Sequence, residues 1–160
     1  GAAALNKLVL SSLDGLLKTF DVLLICGKNN LSGIKKAGFK ETEFTDMRFA
    51  YAAASVCVSR AGSNTAFELM CLKIPALFIP LPKNASRGDQ IENAGYFKSL
   101  SVAAVIEQND LTPNEFTRKI FDLYSHKDYY IKNMTEKNFT PANKKIADIL
   151  IDSAKTRLKG

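Results

Sequence analysis

The chain has 160 residues, 46% of them hydrophobic, and a formal net charge of +6 at pH 7. This length and composition predict one globular domain with a sizeable core, and no apolar run reaches the ~18 residues of a membrane span. The basic charge favours phosphate-bearing ligands or an anionic membrane face. We expect no nucleic-acid partner, because the chain has no helix-turn-helix, zinc or RNP pattern.

The cysteines and the single histidine restrict the possible chemistry. Cys26, Cys57 and Cys71 are odd in number, lie in apolar surroundings and lack CxxC spacing, so reduced thiols in a cytosolic protein are expected. The first residues match no secretory signal. His126 is the only histidine and is predicted to lie at the surface or at a helix end. Because no carboxylate cluster has ligand spacing either, neither a metal nor a cofactor is expected.

Hydrophobic periodicity alternates between helical and strand patterns along the chain. The first half is predicted to contain a helical stripe over residues 5–17, a strand over 20–26 buried on both faces, a short helix over 31–37, a strand over 39–44, a helix over 46–53 and a strand over 55–59. A helix near residue 63, a strand over 76–80, a helix over 88–100 and a strand over 102–106 follow, and then helices opened by Thr112-Pro113 and by Pro141. This alternation predicts an α/β fold with a parallel sheet covered by helices on both faces.

Two polar turns follow predicted strands, one over residues 60–65 and one over 83–90. Ligands of parallel α/β sheets bind beyond the carboxyl ends of the strands, and helix N-termini attract phosphate oxygens. Gly62 permits close backbone approach, and Ser63 or Asn64 is expected to cap the helix. Glu68 is expected in the first helical turn, where its carboxylate can accept hydrogen bonds from both hydroxyls of a ribose.

The same residues also have an explanation without a ligand. Serine and asparagine are common helix caps, and the helix dipole favours an acid in the first turn whatever the surroundings. On the residues alone, a site for a phosphorylated, hydroxyl-rich ligand and a purely structural pair of turns both stay open.

The chain resembles, over nearly its whole length, the C-terminal domain of the MurG family of bacterial N-acetylglucosaminyltransferases. The most specific segments are GAAALN at 1–6, SRAG at 59–62, Thr65 with Glu68, PALFIP at 75–80, SRGDQ at 86–90 and Asn93-Ala94. This resemblance implies the Rossmann-like C-terminal half of a GT-B fold. It also implies that this half binds the nucleotide sugar, whereas the N-terminal half binds a lipid acceptor.

The resemblance also implies roles in binding the nucleotide. Glu68 matches the carboxylate that holds the ribose hydroxyls, and Thr65, with the backbone of Ser63 and Asn64, matches the diphosphate position. Some family members have an apolar residue where this chain has Asn64, a change that a backbone contact tolerates. Phe44 matches the uracil position, where backbone N–H and C=O groups make the contact.

Four further positions concern the sugar and the phosphates. Asp89 and Gln90 match a family Gln-Gln pair that contacts the N-acetylglucosamine hydroxyls, and Asp89 departs from that pair while still offering acceptors. Arg60 and Gly62 belong to the first turn. For Arg60, a phosphate contact and a structural pairing both stay open, with structure slightly favoured.

Parts of the family's machinery have no counterpart. The glycine-rich loop is reduced to Gly1-Ala2, and the strand before it is missing. That strand is central in a doubly wound sheet, so an unfilled slot with unpaired backbone groups is expected. We therefore expect residues 1–160 to be a single donor-binding domain, a fragment without the N-terminal acceptor domain and its catalytic histidine, and expect no catalytic residue in this chain.

The implied function is the donor-binding half of an inverting hexosyltransferase of peptidoglycan synthesis. It would transfer N-acetylglucosamine from UDP-N-acetylglucosamine to a lipid-linked muramoyl-pentapeptide, at the inner face of the cell membrane, and the fragment alone would be inactive. Two alternatives stay open: the catalytic subunit of a split N-acetylglucosaminyltransferase of lipid-linked oligosaccharide synthesis, and a non-catalytic UDP-binding module.

Overall fold

The computed structural model describes residues 2–85, 88–108 and 111–139. In these ranges the helices are α1 Ala2–Ser11, α2 Leu13–Leu16, α3 Met47–Ala53, α4 Ser63–Cys71, α5 Asp89–Ser99, α6 Pro113–Ser125 and α7 Lys127–Lys137. The strands are β1 Val22–Ile25, β2 Phe39–Thr42, β3 Cys57–Ser59, β4 Ala76–Phe78 and β5 Ala103–Val105, and Lys83–Ala85 forms one 3₁₀ turn. The predicted helix opened by Pro141 lies outside the described residues.

All five strands described are paired in parallel, which confirms the α/β class, and they form two sheets. β1 pairs with β2, and β3, β4 and β5 pair in that order. In the part of the chain that the structure describes, no backbone pairing joins the two sheets. The sheet is therefore interrupted between its first two and its last three strands.

Helices cover both faces of the three-stranded sheet, as predicted. One hydrophobic cluster contains Phe78 together with side chains of α4, α5 and α7. The other contains Leu77 and Ile79 together with side chains of α1, α2 and α6, and also Leu24 and Cys26 of the β1 segment. Since neighbouring residues of a strand point to opposite faces, β4 is buried on both sides and forms the centre of the core.

The start of α6 is confirmed as the sequence predicts it. The Thr112 hydroxyl accepts from the Glu115 N–H, and the Glu115 carboxylate accepts from the Thr112 N–H at 3.1 Å, which completes a capping box with Pro113 at the first helical position. His126 lies exposed at the junction of α6 and α7, as expected.

The three cysteines are free thiols, as predicted. Cys26 is fully buried, whereas Cys57 and Cys71 are partly accessible. Burial raises the pKa of Cys57 to about 11, so this thiol is protonated at neutral pH.

The short helix predicted over residues 31–37 is wrong, because this segment is a loop. Its backbone N–H groups donate to a carboxylate on β2 instead of to helical carbonyls: Ser32 N and Gly33 N lie 2.9 and 2.7 Å from the Glu41 oxygens. These bonds, chiefly that from Ser32, lower the pKa of Glu41. Leu23 is 44% exposed, so the prediction that its strand is buried on both faces is also wrong.

Candidate functional site

The two polar turns lie at the same edge of the three-stranded sheet. α4 follows β3 and α5 follows β4, and these strands are adjacent and parallel, so their carboxyl ends share one edge. The Asn93 side chain on α5 donates to the Ala61 carbonyl at 3.0 Å and thereby links the second helix to the first turn. Both helix starts therefore open on one side of the molecule.

The N-terminus of α4 has no side-chain cap. The helix begins at Ser63 with Gly62 as N-cap, and no side-chain hydrogen bond caps it. The expectation that Ser63 or Asn64 is the cap is wrong, since both lie inside the first turn. The N–H groups of Ser63, Asn64 and Thr65 have no acceptor within the helix, because helical bonding begins with Ala66 N to Gly62 O. Such a terminus is suited to binding an anion.

Gly62 leaves open space in front of that helix. Its φ of −66° and ψ of 137° are accessible to any residue, so the fold does not need a glycine for its backbone angles. Among the described residues, a Cβ placed on it would meet nothing within 4 Å. This geometry agrees with the predicted close approach of a ligand to the backbone, which stays a prediction.

Glu68 is the sixth residue of α4 and therefore lies in its second turn, not in the first turn as predicted. It is exposed rather than directed into the core. Its position is about 7.5 Å along the helix axis from Ser63 at 1.5 Å per residue. The predicted phosphate and ribose positions are thus separated by about that distance along the helix, and their occupation stays a prediction.

Tyr51 of α3 is the neighbour that the sequence did not identify. Its hydroxyl donates to the Glu68 Oε2 atom at 3.1 Å. The two residues are 17 positions apart, on helices separated by β3, so no local pattern could show the contact. No local pattern could show the contact of Asn93 either, because its side chain donates to a carbonyl 32 positions away.

Arg60 connects the strand ends beneath the site. Its guanidinium donates to the Ile79 carbonyl at 2.8 Å and to the Gln108 side-chain oxygen at 2.6 Å. Burial lowers its pKa. These contacts link the ends of β3 and β4 to the segment after β5. They support the structural role that the sequence slightly favoured.

The second turn presents Asp89 and Gln90 at the start of α5. Asp89 is the first helical residue and is exposed, whereas the Gln90 side-chain oxygen accepts from the Leu81 N–H at 3.1 Å. Gly88 caps the helix with φ of +92°, a conformation that favours glycine. Residues 86 and 87 of this turn lie outside the described residues.

Phe44 follows the end of β2, in the two-stranded sheet and not in the sheet that carries the two turns. Its side chain is 68% exposed, and its carbonyl accepts from the Thr42 hydroxyl at 2.8 Å. A carbonyl oxygen has two lone pairs, so this bond leaves an acceptor for a second donor. The predicted backbone contact with uracil is thus chemically compatible with the structure and stays a prediction.

The described ranges contain neither a membrane-spanning helix nor a metal-binding cluster. None of the helices there combines the length and apolar composition required to cross a bilayer. In the same ranges, no three His, Cys, Asp or Glu side chains are grouped so that they could hold a metal ion.

The fold and the site define a Rossmann-like parallel α/β domain, with helix N-termini grouped at the carboxyl ends of adjacent strands. Comparison with known families is consistent with this class. The model of the glycosyltransferase family 28 C-terminal domain matches residues 1–150, and the chain belongs to this family.

Two curated relatives share the same functional name. Proteins from Clostridium tetani and Geobacillus kaustophilus are both called UDP-N-acetylglucosamine--N-acetylmuramyl-(pentapeptide) pyrophosphoryl-undecaprenol N-acetylglucosamine transferase. The first is 36% identical over 154 residues, which cover 94% of this chain and 43% of the relative. The second is 38% identical over 159 residues, which cover 97% and 44%. The chain thus spans less than half the length of these relatives.

Solved structures confirm the predicted fold. MurG from Acinetobacter baumannii superposes with a TM-score of 0.74 at 21% identity, over 95% of this chain and 47% of that protein. The glycosyltransferase VinC in complex with DTDP superposes with a TM-score of 0.68 at 14% identity, over 95% and 40%. The chain therefore has the fold of one half of a GT-B glycosyltransferase.

Proposed function

We propose that this chain is the donor-binding half of an N-acetylglucosaminyltransferase of peptidoglycan synthesis. Its donor is UDP-N-acetylglucosamine, and its acceptor is a lipid-linked muramoyl-pentapeptide. The observation that supports this most directly is the uncapped N-terminus of α4 beside the start of α5, with Glu68 exposed in the second turn of α4. The names of the relatives specify the sugar and the acceptor.

In this proposal the diphosphate binds at the start of α4. The N–H groups of Ser63, Asn64 and Thr65 and the Thr65 hydroxyl donate to its oxygens, and the helix dipole stabilises its negative charge. Glu68 accepts from the ribose hydroxyls. Because diphosphate charge increases as UDP leaves, the same donors stabilise the transition state more than the bound substrate.

The remaining predicted contacts complete the donor site. The backbone of Phe44 contacts uracil, and Asp89 and Gln90 accept from or donate to the hydroxyls of N-acetylglucosamine. Gln90 is already oriented by its bond to Leu81, which limits the positions that its amide NH₂ group can reach. Arg60 acts here by fixing the turn rather than by contacting phosphate.

The chemical step requires groups that we do not assign to this chain. The acceptor 4-hydroxyl attacks the anomeric carbon with inversion, the bond to the UDP oxygen breaks, and a base removes the hydroxyl proton. We place that base, the acceptor site and the contact with the inner face of the cell membrane in an N-terminal domain. Residues 1–160 alone would bind the donor weakly and transfer no sugar.

The proposal also includes one further β-strand, placed between the two sheets. Val22 N donates to the carbonyl of Gly38, the residue before β2, and Cys26 N donates to that of Thr42 in β2, while Cys57 N donates to the residue before β4. Because successive residues of a strand point their backbone groups to opposite sides, Leu23, Ile25 and Val58 present theirs to the other edges of β1 and β3. We propose that one further parallel strand lies between these edges and joins the two sheets.

Calorimetric titration with UDP-N-acetylglucosamine tests the donor site. We expect binding by the chain and a loss of at least about tenfold in affinity for Glu68→Ala, the size expected when hydrogen bonds to a charged group are removed. Glu136→Ala, on the exposed surface of α7, is the matched control and should bind normally. Equal affinity of the Glu68→Ala variant and the unmodified chain would refute the ribose assignment.

A further inference from the structure

Tyr51 is anchored at one end and hydrogen-bonded at the other. Its ring is partly buried against the hydrophobic cluster formed by α4, α5 and α7. Its hydroxyl emerges from that cluster and donates to the Glu68 Oε2 atom at 3.1 Å. The α3 helix that holds Tyr51 is itself capped, since the Asp46 carboxylate accepts from the Arg48 N–H. The donor is therefore fixed by packing, and the acceptor is an exposed side chain.

We propose that Tyr51 is a positioning residue that orients the Glu68 carboxylate for recognition of a ribose diol. This inference rests on the proposed function, because it specifies how the same site distinguishes ribose from deoxyribose. An exposed glutamate has several rotamers, and ordering it when a ligand binds costs conformational entropy. A packed tyrosine that holds the carboxylate in advance reduces that cost.

The hydrogen-bonding capacity of a carboxylate allows both contacts at once. Two carboxylate oxygens offer about four acceptor positions, and the Tyr51 hydroxyl occupies one of them on Oε2. The Oε1 atom and the second position on Oε2 are sufficient for two neighbouring sugar hydroxyls. Tyr51 therefore orients Glu68 without taking the acceptors that the ligand needs.

The hydroxyl must keep its proton to act in this way. Burial, followed by its hydrogen bond to Glu68, raises the pKa of Tyr51 above its ordinary value. Tyr51 is therefore a donor throughout the neutral pH range, and Glu68 accepts from it whenever the carboxylate is ionised.

The test compares UDP with 2′-deoxy-UDP by calorimetry. We expect the unmodified chain to prefer UDP, and we expect Tyr51→Phe to weaken UDP binding about three- to tenfold, the range for one hydrogen bond. Its effect on 2′-deoxy-UDP should be smaller, so the preference for ribose falls. In a Glu68→Ala background, Tyr51→Phe should have no additional effect on either ligand. Tyr124→Phe, on α6, is the matched control and should change neither affinity.

The outcomes separate this inference from the proposed function. If Glu68→Ala weakens UDP binding while Tyr51→Phe leaves affinity and ribose preference unchanged, the positioning role is refuted and the donor site stands. If Tyr51→Phe weakens both ligands equally, and does so also without Glu68, Tyr51 is only structural. If the unmodified chain binds no UDP, the proposed function fails first, and this inference fails with it.

Discussion

At the scale of single residues, the backbone angles of Gly62 and the space in front of it have different consequences. The angles suit any amino acid, whereas the space beyond its Cα is empty. A methyl group there should therefore matter little to folding and much to a ligand that approaches the helix start. A glycine can be required for its backbone conformation or for the access it gives a ligand, and Gly62 is predicted to be of the second kind.

Gly62→Ala is accordingly predicted to fold normally and to bind UDP at least about tenfold more weakly, since the methyl group displaces phosphate from the helix N–H groups. Its stability should stay within about 1 kcal/mol, the usual effect of an N-cap change. Gly95→Ala is the control, because its added Cβ also meets nothing within 4 Å but lies in the middle of α5. Thermal denaturation and calorimetry measure the two effects. Unchanged UDP affinity for Gly62→Ala would contradict the assignment.

The individual side chains also show what sequence reasoning could and could not identify. Glu68 was predictable as an exposed acid after a polar turn, although its distance from the helix start was underestimated because the helix begins at Ser63. Tyr51 was not predictable, since its partner comes from another element. Arg60 had two possible partners in the sequence, and only the folded chain brings the Ile79 carbonyl and Gln108 to it.

At the scale of helices and strands, predictions succeeded where the bonding is local. The capping box at Thr112 involves residues three positions apart, so the start of α6 was visible in the sequence. The helix expected over residues 31–37 failed because Glu41, which is remote from Ser32 and Gly33 in the chain, accepts their N–H groups. Apolar spacing alone does not show that competition.

The unpaired edges of β1 and β3 lead to a prediction for amide hydrogen exchange. In this chain the amides of Leu23, Ile25 and Val58 should exchange rapidly, since they face the interruption between the sheets. In a longer protein that includes the proposed strand, the same three amides should become protected, because they would gain ladder hydrogen bonds.

Three amides in or directly after the same strands supply the internal control for that experiment. Val22, Cys26 and Cys57 already donate within the existing pairs and should be protected in both proteins. Exchange measured residue by residue by NMR distinguishes the two sets. If Leu23, Ile25 and Val58 are already as protected as these controls in the short chain, the strand proposal is wrong.

At the scale of the whole molecule, one edge of the three-stranded sheet holds the two helix starts of the proposed site. Adjacent parallel strands place the starts of α4 and α5 side by side, and Asn93 and Arg60 fix the turns between them. The family and the fold were predictable from motifs spread over the chain, and the family match over residues 1–150 confirms them. The division into two sheets agrees with the unfilled slot expected from the sequence, although hydrophobic periodicity alone does not determine backbone pairing.

The central claim is that the uncapped start of α4 holds a diphosphate while Glu68 holds the attached ribose. Determining a crystal structure of this chain with UDP bound would test this claim most directly. We predict phosphate oxygens within hydrogen-bonding distance of the Ser63, Asn64 and Thr65 N–H groups, and both ribose hydroxyls on the Glu68 carboxylate. UDP bound away from this helix, or a ribose without contact to Glu68, would contradict the claim.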